Sequence, residues 1–427
     1  MTELEVLSVP SLAGSGVAYA YAVKAGPFIF LTGHEAFDFE TGSIAAVAGP
    51  NGFPEFDKAR ARREAEFIFD RMRRTLERLG SDLGHALRLD QFYPAPAGVV
   101  HYQRARHLAF GKYIPPSTSI IMERCFGGTS SISSSLIAVE RRDDYAIKGI
   151  FPKGVETPVF SGFVPTITCS DFILVAGQMA SGAEGGLDPA ARTLENSRWG
   201  GSAIHLQAEF LIRQKLTPAL ESAGASLSDA VKAQVYIEGA ENFPDFFEVW
   251  STHFKDIPCA LTVVPAKSFA TVGGIIEINL LALKPDGARK KTVVTAGVPA
   301  MASYGPAVRA GEFLFPSGLM AIGPDGHVVG KDVSARFPGL AHSGLAQASA
   351  IYDYAEALCA ASGTSLANVV RAQYFCTGAH EFPGIAAAWR ARQGERPHPF
   401  LCIETPNTPP APGATVIADF WIYAPGR

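Results

Sequence analysis

An α+β chain made of three tandem copies of one domain, each a mixed sheet with two helices on one face, is predicted by three observations. The first is a stretch written three times: Gly80 to Phe92 (GSDLGHALRLDQF), Gly224 to Tyr236 (GASLSDAVKAQVY) and Gly363 to Phe375 (GTSLANVVRAQYF). In each a helical run ends at glycine, leucine follows three residues on, and an apolar pair precedes Lys or Arg and a β-prone run, the pattern of helix, glycine stop, connector and strand. The second is the spacing of 144 and 139 residues, far longer than a solenoid period and about one small domain. The third is length, since 427 residues suit two to four domains and the repeat selects three. The copies are expected at 1–147, 152–286 and 292–427, with linkers near Arg141–Pro152 and Lys284–Val294.

Each copy opens with a β-type run that meets glycine: Phe28–Gly33, Phe172–Gly177 and Phe313–Gly318. A turn-rich connection follows, including Pro324-Asp325-Gly326. Amphipathic helices come next, with Ala65, Ile68, Met72, Leu76 and Leu79 at helical spacing in the first copy and Leu206, Phe210, Arg213 or Ile212, Leu216 and Leu220 in the second. After the repeated strand, Phe243-Pro244 and Phe382-Pro383 open a second helix, proline being harmless in a first turn. Two β-type runs close the copy, as in Ala260–Val264 and Ile275–Ala282.

Composition narrows the function. The chain is 47% hydrophobic and 18% charged, so each copy can bury a core, and a net charge of -4 with no basic stripe argues against nucleic acid. No stretch is apolar enough to span a bilayer and no secretory leader opens the chain, which leads us to expect a cytoplasmic protein with no membrane partner. Six scattered cysteines without CxxC spacing suggest reduced, buried thiols, and neither a metal nor a cofactor is expected. No Walker loop, dinucleotide fingerprint or Ser-His-Asp order appears.

The segments Val175-Ala-Gly-Gln178, Leu220-Glu-Ser-Ala-Gly224, Ala230–Tyr236 and Ile276-Glu-Ile278 resemble the RidA/YjgF/YER057c/UK114 family, also called endoribonuclease L-PSP. Single-domain members are homotrimers with inward sheets, outward helices and ligand clefts between subunits. The resemblance therefore implies an intrachain pseudo-trimer around a central barrel, a monomer or a dimer through its helices, with three inequivalent clefts. It implies hydrolytic deamination of an enamine or imine, or tautomerisation of an enol-type metabolite, on a small-molecule substrate. The family's carboxylate-gripping arginine falls on about Thr118, Ala260 and Phe400, so no copy keeps it. The family's water-orienting glutamate is kept once, as Glu277, against about Ser133 and Ile417; read from the residues alone, Glu277 also suits the solvent face of an alternating strand.

The resemblance also places Tyr19, Phe163 and Tyr304 at a family pocket position, and Gly33, Gly177 and Gly318 where backbone amides meet a ligand. Thr262 and Cys402 complete the expected lining, and Arg124 is a candidate replacement cation. In the first copy His34 and Glu35 form a candidate acid/base pair, with His101, Arg104, Arg106 and His107 further on at spacings that fit no zinc helix. Two other readings stay open: a non-catalytic metabolite binder, favoured by loss of the arginine, and a chorismatase-like hydrolase or lyase on a related fold.

Overall fold

The computed structural model describes residues 4–9, 12, 15–44, 47, 58–155, 157, 161–182, 185–194, 201–299, 305–330, 343–406 and 410–426. Alternating Val, Ala, Ile and Phe at its start form β1 (Glu5–Val9), β2 (Tyr19–Ala25) and β3 (Phe28–His34). A small ribbon, β4 (Phe37–Asp38) and β5 (Gly42–Ser43), then leads to α1 (Arg60–Arg78), whose stripe of Ala65, Ile68, Met72 and Leu76 is buried. Beyond it lie β6 (Ala86–Tyr93), α2 (Ala97–Phe110), β7 (Ser117–Ile121), β8 (Arg124–Cys125) and β9 (Ser133–Val139).

The second copy contains β10 (Ile147–Ile150), β11 (Thr166–Cys169) and β12 (Phe172–Met179), then a helical run of α3 (Ala203–Phe210), a π segment (Leu211–Leu216) and α4 (Thr217–Ser222). It closes with β13 (Ala230–Glu238), α5 (Phe243–Phe254), β14 (Ala260–Ala266) and β15 (Ile276–Leu283). The third copy contains β16 (Lys291–Val294), β17 (Ala307–Ala310), β18 (Phe313–Pro316), α6 (Ser343–Ala361), β19 (Val369–Cys376), α7 (Phe382–Gln393), β20 (Phe400–Glu404) and β21 (Val416–Tyr423). Gly80, Gly224 and Gly363, the helix stops of the repeated stretch, all have positive φ (82°, 78° and 69°), the left-handed turn that lets the chain leave a helix at once.

One strand order is used three times: β1-β2-β3-β9-β6-β7, β10-β11-β12-β15-β13-β14 and β16-β17-β18-β21-β19-β20. The repeated strand lies antiparallel to the last strand of its copy and parallel to the one before it, as β13 does to β15 and β14. Helices cover one face of each sheet, where Phe246, Trp250, Leu216 and Val235 make the core of the second copy. The other faces meet. Phe28, Phe172 and Phe313 touch pairwise at centroid distances of 5.7, 5.2 and 6.2 Å, and Phe92, Tyr236 and Phe375 do the same at 6.1, 6.0 and 6.1 Å. Among the described residues the three sheets do not join into the continuous closed barrel that was expected. Their seams are crossed locally, by β8 pairing with β20, by bridges from Ile121 to Ser268 and from Tyr19 to His398, and by single amide bonds such as Gly318 donating to the Leu261 carbonyl at 2.9 Å. Residues two apart on a strand share a face, so a polar layer from β6, β13 and β19 lies between the aromatic triangles. There Arg88 Nη2 donates to Gln234 Oε1 (3.1 Å), Gln234 Nε2 to Gln373 Oε1 (2.8 Å), and Arg371 Nη2 to Asp90. No described helix is long and apolar enough to cross a membrane.

Candidate functional site in the seam of the first two copies

Strand register identifies the equivalent positions. Glu277 faces Tyr236 across β15 and β13, as Ser133 faces Phe92 and Ile417 faces Phe375. Thr118, Thr262 and Leu401 pair with Asp90, Gln234 and Gln373 on the parallel neighbour. The equivalents of Thr118 are therefore Thr262 and Leu401, not Ala260 and Phe400; a proline-based alignment slips here because the loops before β14 and β20 differ in sequence. None of the three is arginine.

Between the first and second copies lies a cavity of about 100 Å³, lined by Arg106, Ser117, Ser119, Phe163, Gln178 and Glu277 among others. Since some 10–15 Å³ suffices for one water, a ligand of several heavy atoms fits. Glu277 is only 4% exposed, and burial pushes its carboxyl up to about 8. The Ser119 amide, Arg88 and the Thr118 hydroxyl pull the other way, while the Asp90 carboxylate adds to the rise. Asn279 Nδ2 donates to Thr118 Oγ1 at 3.1 Å and so fixes that hydroxyl. Gly177 is required by space: a Cβ there would sit 1.9 Å from Glu277 Oε1 and 2.9 Å from Thr118 Oγ1. Both it and Phe163 line the cavity.

Arg106 reaches the same cavity from α2 and is 1% exposed. Its Nη1 donates to Gln91 Oε1 (3.2 Å) and Ser117 Oγ (3.4 Å) and its Nη2 to the Ser161 carbonyl, while Nε has no partner among the described residues. Sequence reading grouped this residue with neighbouring histidines. A signal was nonetheless present: at the repeat spacings of 144 and 139 residues, Arg106 occupies the place of Trp250 and Trp389.

The seam between the third and first copies is filled. There Tyr19 donates to the Gly33 carbonyl (2.6 Å), a Cβ on Gly33 would lie 3.2 Å from Leu401, and only about 10 Å³ is left among Tyr19, Glu35, Ser133 and Cys402. Glu35 accepts from the Phe126 and Gly127 amides (3.0 and 2.8 Å); burial pushes its carboxyl up to about 7 against those bonds. His34 and Glu35 do not form the expected pair, because neighbours on an extended strand point to opposite faces. His34 Nε2 meets the Tyr21 carbonyl at 3.0 Å, and burial, with Arg71 nearby, lowers its pKa to about 3. Cys402 is buried with its sulfur 3.9 Å from that of Cys376. Between the second and third copies a Cβ on Gly318 would lie 3.0 Å from Thr262 Cγ2, and Thr262 donates to Asp419, which also holds Lys232 at 2.7 Å. Arg124 is half exposed, 4.0 Å from Glu404 at the β8–β20 junction, and does not line the Glu277 cavity. Tyr304 lies outside the described residues. A larger open depression of about 570 Å³ on the outer face of the second copy, beside Glu209 and Lys215, contains none of the register positions. All six cysteines are buried and unpaired, and the described residues place no group of three or more His, Cys, Asp or Glu to hold a metal.

The sequence profile of the family described as endoribonuclease L-PSP matches residues 156–284, the stretch that supplies Gly177 and Glu277. No curated protein matches the chain. Among solved structures, yeast Mmf1 is similar at 20% identity over 33% of this chain and 99% of its own, with a TM-score of 0.28. Rv2704 of Mycobacterium tuberculosis, a member of the YjgF/YER057c/UK114 family, is similar at 22% over 32% of this chain and 99% of its own (TM-score 0.26), and YyfA of Yersinia pestis, of the conserved Rid protein family, at 20% over 32% and 99% (TM-score 0.27). The middle copy, residues 156–284, thus matches the family described as endoribonuclease L-PSP, and the same strand order is written once before it and once after.

Proposed function

We propose that the chain is an acid–base enzyme acting on a small enamine, imine or enol-type metabolite in the seam between its first and second copies, with Glu277 moving the proton. The observation that carries this reading is a buried carboxyl, raised to about 8, against a cavity of about 100 Å³. Such a group is mostly protonated at neutral pH and able to act first as an acid. On an imine, Glu277 gives its proton to nitrogen, making the carbon electrophilic. Water adds to that carbon, the carboxylate takes back a proton, and collapse of the adduct releases ketone and ammonia. On an enol the same carboxyl protonates carbon, and the carboxylate so formed takes up the hydroxyl proton through water, so that Glu277 ends protonated as it began. Ammonia release from imines generated in situ tests the first arm and proton NMR of enol decay the second; Glu277→Gln turning over like the wild type in both would sink the assignment.

We further propose that the three copies, expected at 1–147, 152–286 and 292–427 but with β10 and β16 of the expected linkers as the first strands of the second and third sheets, form a pseudo-trimer within one chain. Support comes from the two aromatic triangles, each built from one equivalent residue per copy. The particle is then a monomer, or a dimer through outer helical surfaces. Light scattering at several concentrations checks this, and a particle three times the chain mass refutes it.

A further inference from the structure

We infer that Arg106 is the anchor for a small monocarboxylate ligand, gripping it from the helical side of the Glu277 cavity. The inference rests on the site proposed above but on different observations. In α2 the buried stripe runs Val99, Tyr102, Arg106, Phe110, and the equivalent stripe of α5 runs Phe243, Phe246, Trp250, Phe254. Trp250 and Trp389 are 1% and 2% exposed, so the fold asks for a large apolar side chain at this place and the first copy alone supplies a cation. A guanidinium removed from water is costly unless an anion offsets it. The interior cations of the polar layer obey that rule: Arg88 and Arg371 pair with Asp90, and Lys232 with Asp419. Arg106 makes no ion pair among the described residues; its partners are an amide, a hydroxyl and a carbonyl.

The geometry of what is left over sets the ligand. Three of the five guanidinium donors are engaged, and the two that remain include the Nε–H, buried without a partner among the described residues in a side chain that lines the cavity. Two free N–H groups on one planar fork suit the two oxygens of a carboxylate. A ligand of single negative charge neutralises Arg106, while the protonated Glu277 stays uncharged and available for chemistry. Phe163, Met179 and Ala270 give the rest of the ligand an apolar wall.

Calorimetric titration of the full chain at pH 7 with propionate, and with its neutral isostere propionamide, tests this. The wild type is expected to bind propionate at least about tenfold more tightly than propionamide. Arg106→Gln is expected to lose about tenfold or more of the propionate affinity and to keep that for propionamide. Arg106→Trp, which installs the residue of the other two copies and so safeguards folding, is expected to remove propionate binding. Glu277→Gln is expected to retain it. Propionate bound no better than propionamide by the wild type, or bound as well by either Arg106 variant, overturns the inference. The proposed reaction fails separately, on turnover by Glu277→Gln.

Discussion

Replacing Glu277 by glutamine reads out the energetic cost of the proposed site without any knowledge of substrate. In the folded chain the carboxyl is moved from 4.5 to about 8 by burial. Below pH 4.5 it is protonated whether the chain is folded or not, and it contributes no pH dependence. Between those values the folded chain holds a proton that the unfolded chain has released, so each rise in pH favours unfolding. Above about 8 the whole penalty is present. At about 1.4 kcal/mol per tenfold change in proton affinity, the difference amounts to at most roughly 5 kcal/mol. Glutamine has nearly the same shape and no charge to desolvate. The variant is therefore expected to match the wild type near pH 4 and to gain on it steadily, by about 2–5 kcal/mol at pH 9. Urea denaturation of both proteins from pH 4 to 9 measures the difference directly, and Glu35, which also titrates high, cancels because both proteins carry it. A difference that stays constant across this range would refute the claim that Glu277 is buried in an uncharged form.

Gly177→Ala is expected to abolish turnover, because its Cβ would occupy the place of Glu277 Oε1 at 1.9 Å; adding Glu277→Ala in the same chain should restore stability but not activity, as denaturation and turnover assays would show. Gly33→Ala, at the filled seam, meets Leu401 at 3.2 Å and should cost about 1–3 kcal/mol of stability while leaving turnover unchanged. The proposed proton donation should also give a turnover rate that falls as pH rises through about 8, a limb that Glu277→Gln lacks.

The fold was legible because its punctuation repeats. Glycine stops, apolar pairs and the proline after an aromatic recur at fixed spacing, and every repeated strand forms where the pattern places it. Glu277, with its counterparts Ser133 and Ile417, was legible too, since those strands carry no insertion. What periodicity does not carry is distance between copies. Whether a seam is open depends on which side chain faces a glycine: Leu401 faces Gly33, Thr262 faces Gly318, and Glu277 itself faces Gly177 beside a cavity. His34 and Glu35 looked like a pair because they are adjacent in sequence, and alternation along the strand separates them. Arg106 was visible but misgrouped. Its meaning came from the tryptophans 144 and 283 residues further on, a comparison along the repeat and not within the helix.

The same comparison bears on why the order of the copies matters. Arg88, Lys232 and Arg371 occupy one register position in all three copies, so three equivalent cations face one interior. Their acids are not equivalent. Asp90 lies on the repeated strand of the first copy, at the place of Gln234 and Gln373, whereas Asp419 lies on the last strand of the third, at the place of Ser135 and Asn279. Asp90 pairs with Arg371 across the seam to the third copy, and Asp419 pairs with Lys232 across the seam to the second. Each pair thus fits one arrangement of neighbours and no other. Asp90→Asn should cost about 3–5 kcal/mol, because it leaves Arg88 and Arg371 buried without a carboxylate. Adding Gln234→Asp moves the lost acid to the equivalent place in the second copy. Arg88 already donates to that side chain and regains a partner, but Arg371 does not. The double variant is therefore expected to recover only part of the loss in urea denaturation. Full recovery would mean that total interior charge is what counts, and the idea that these pairs encode the order of the copies would fall.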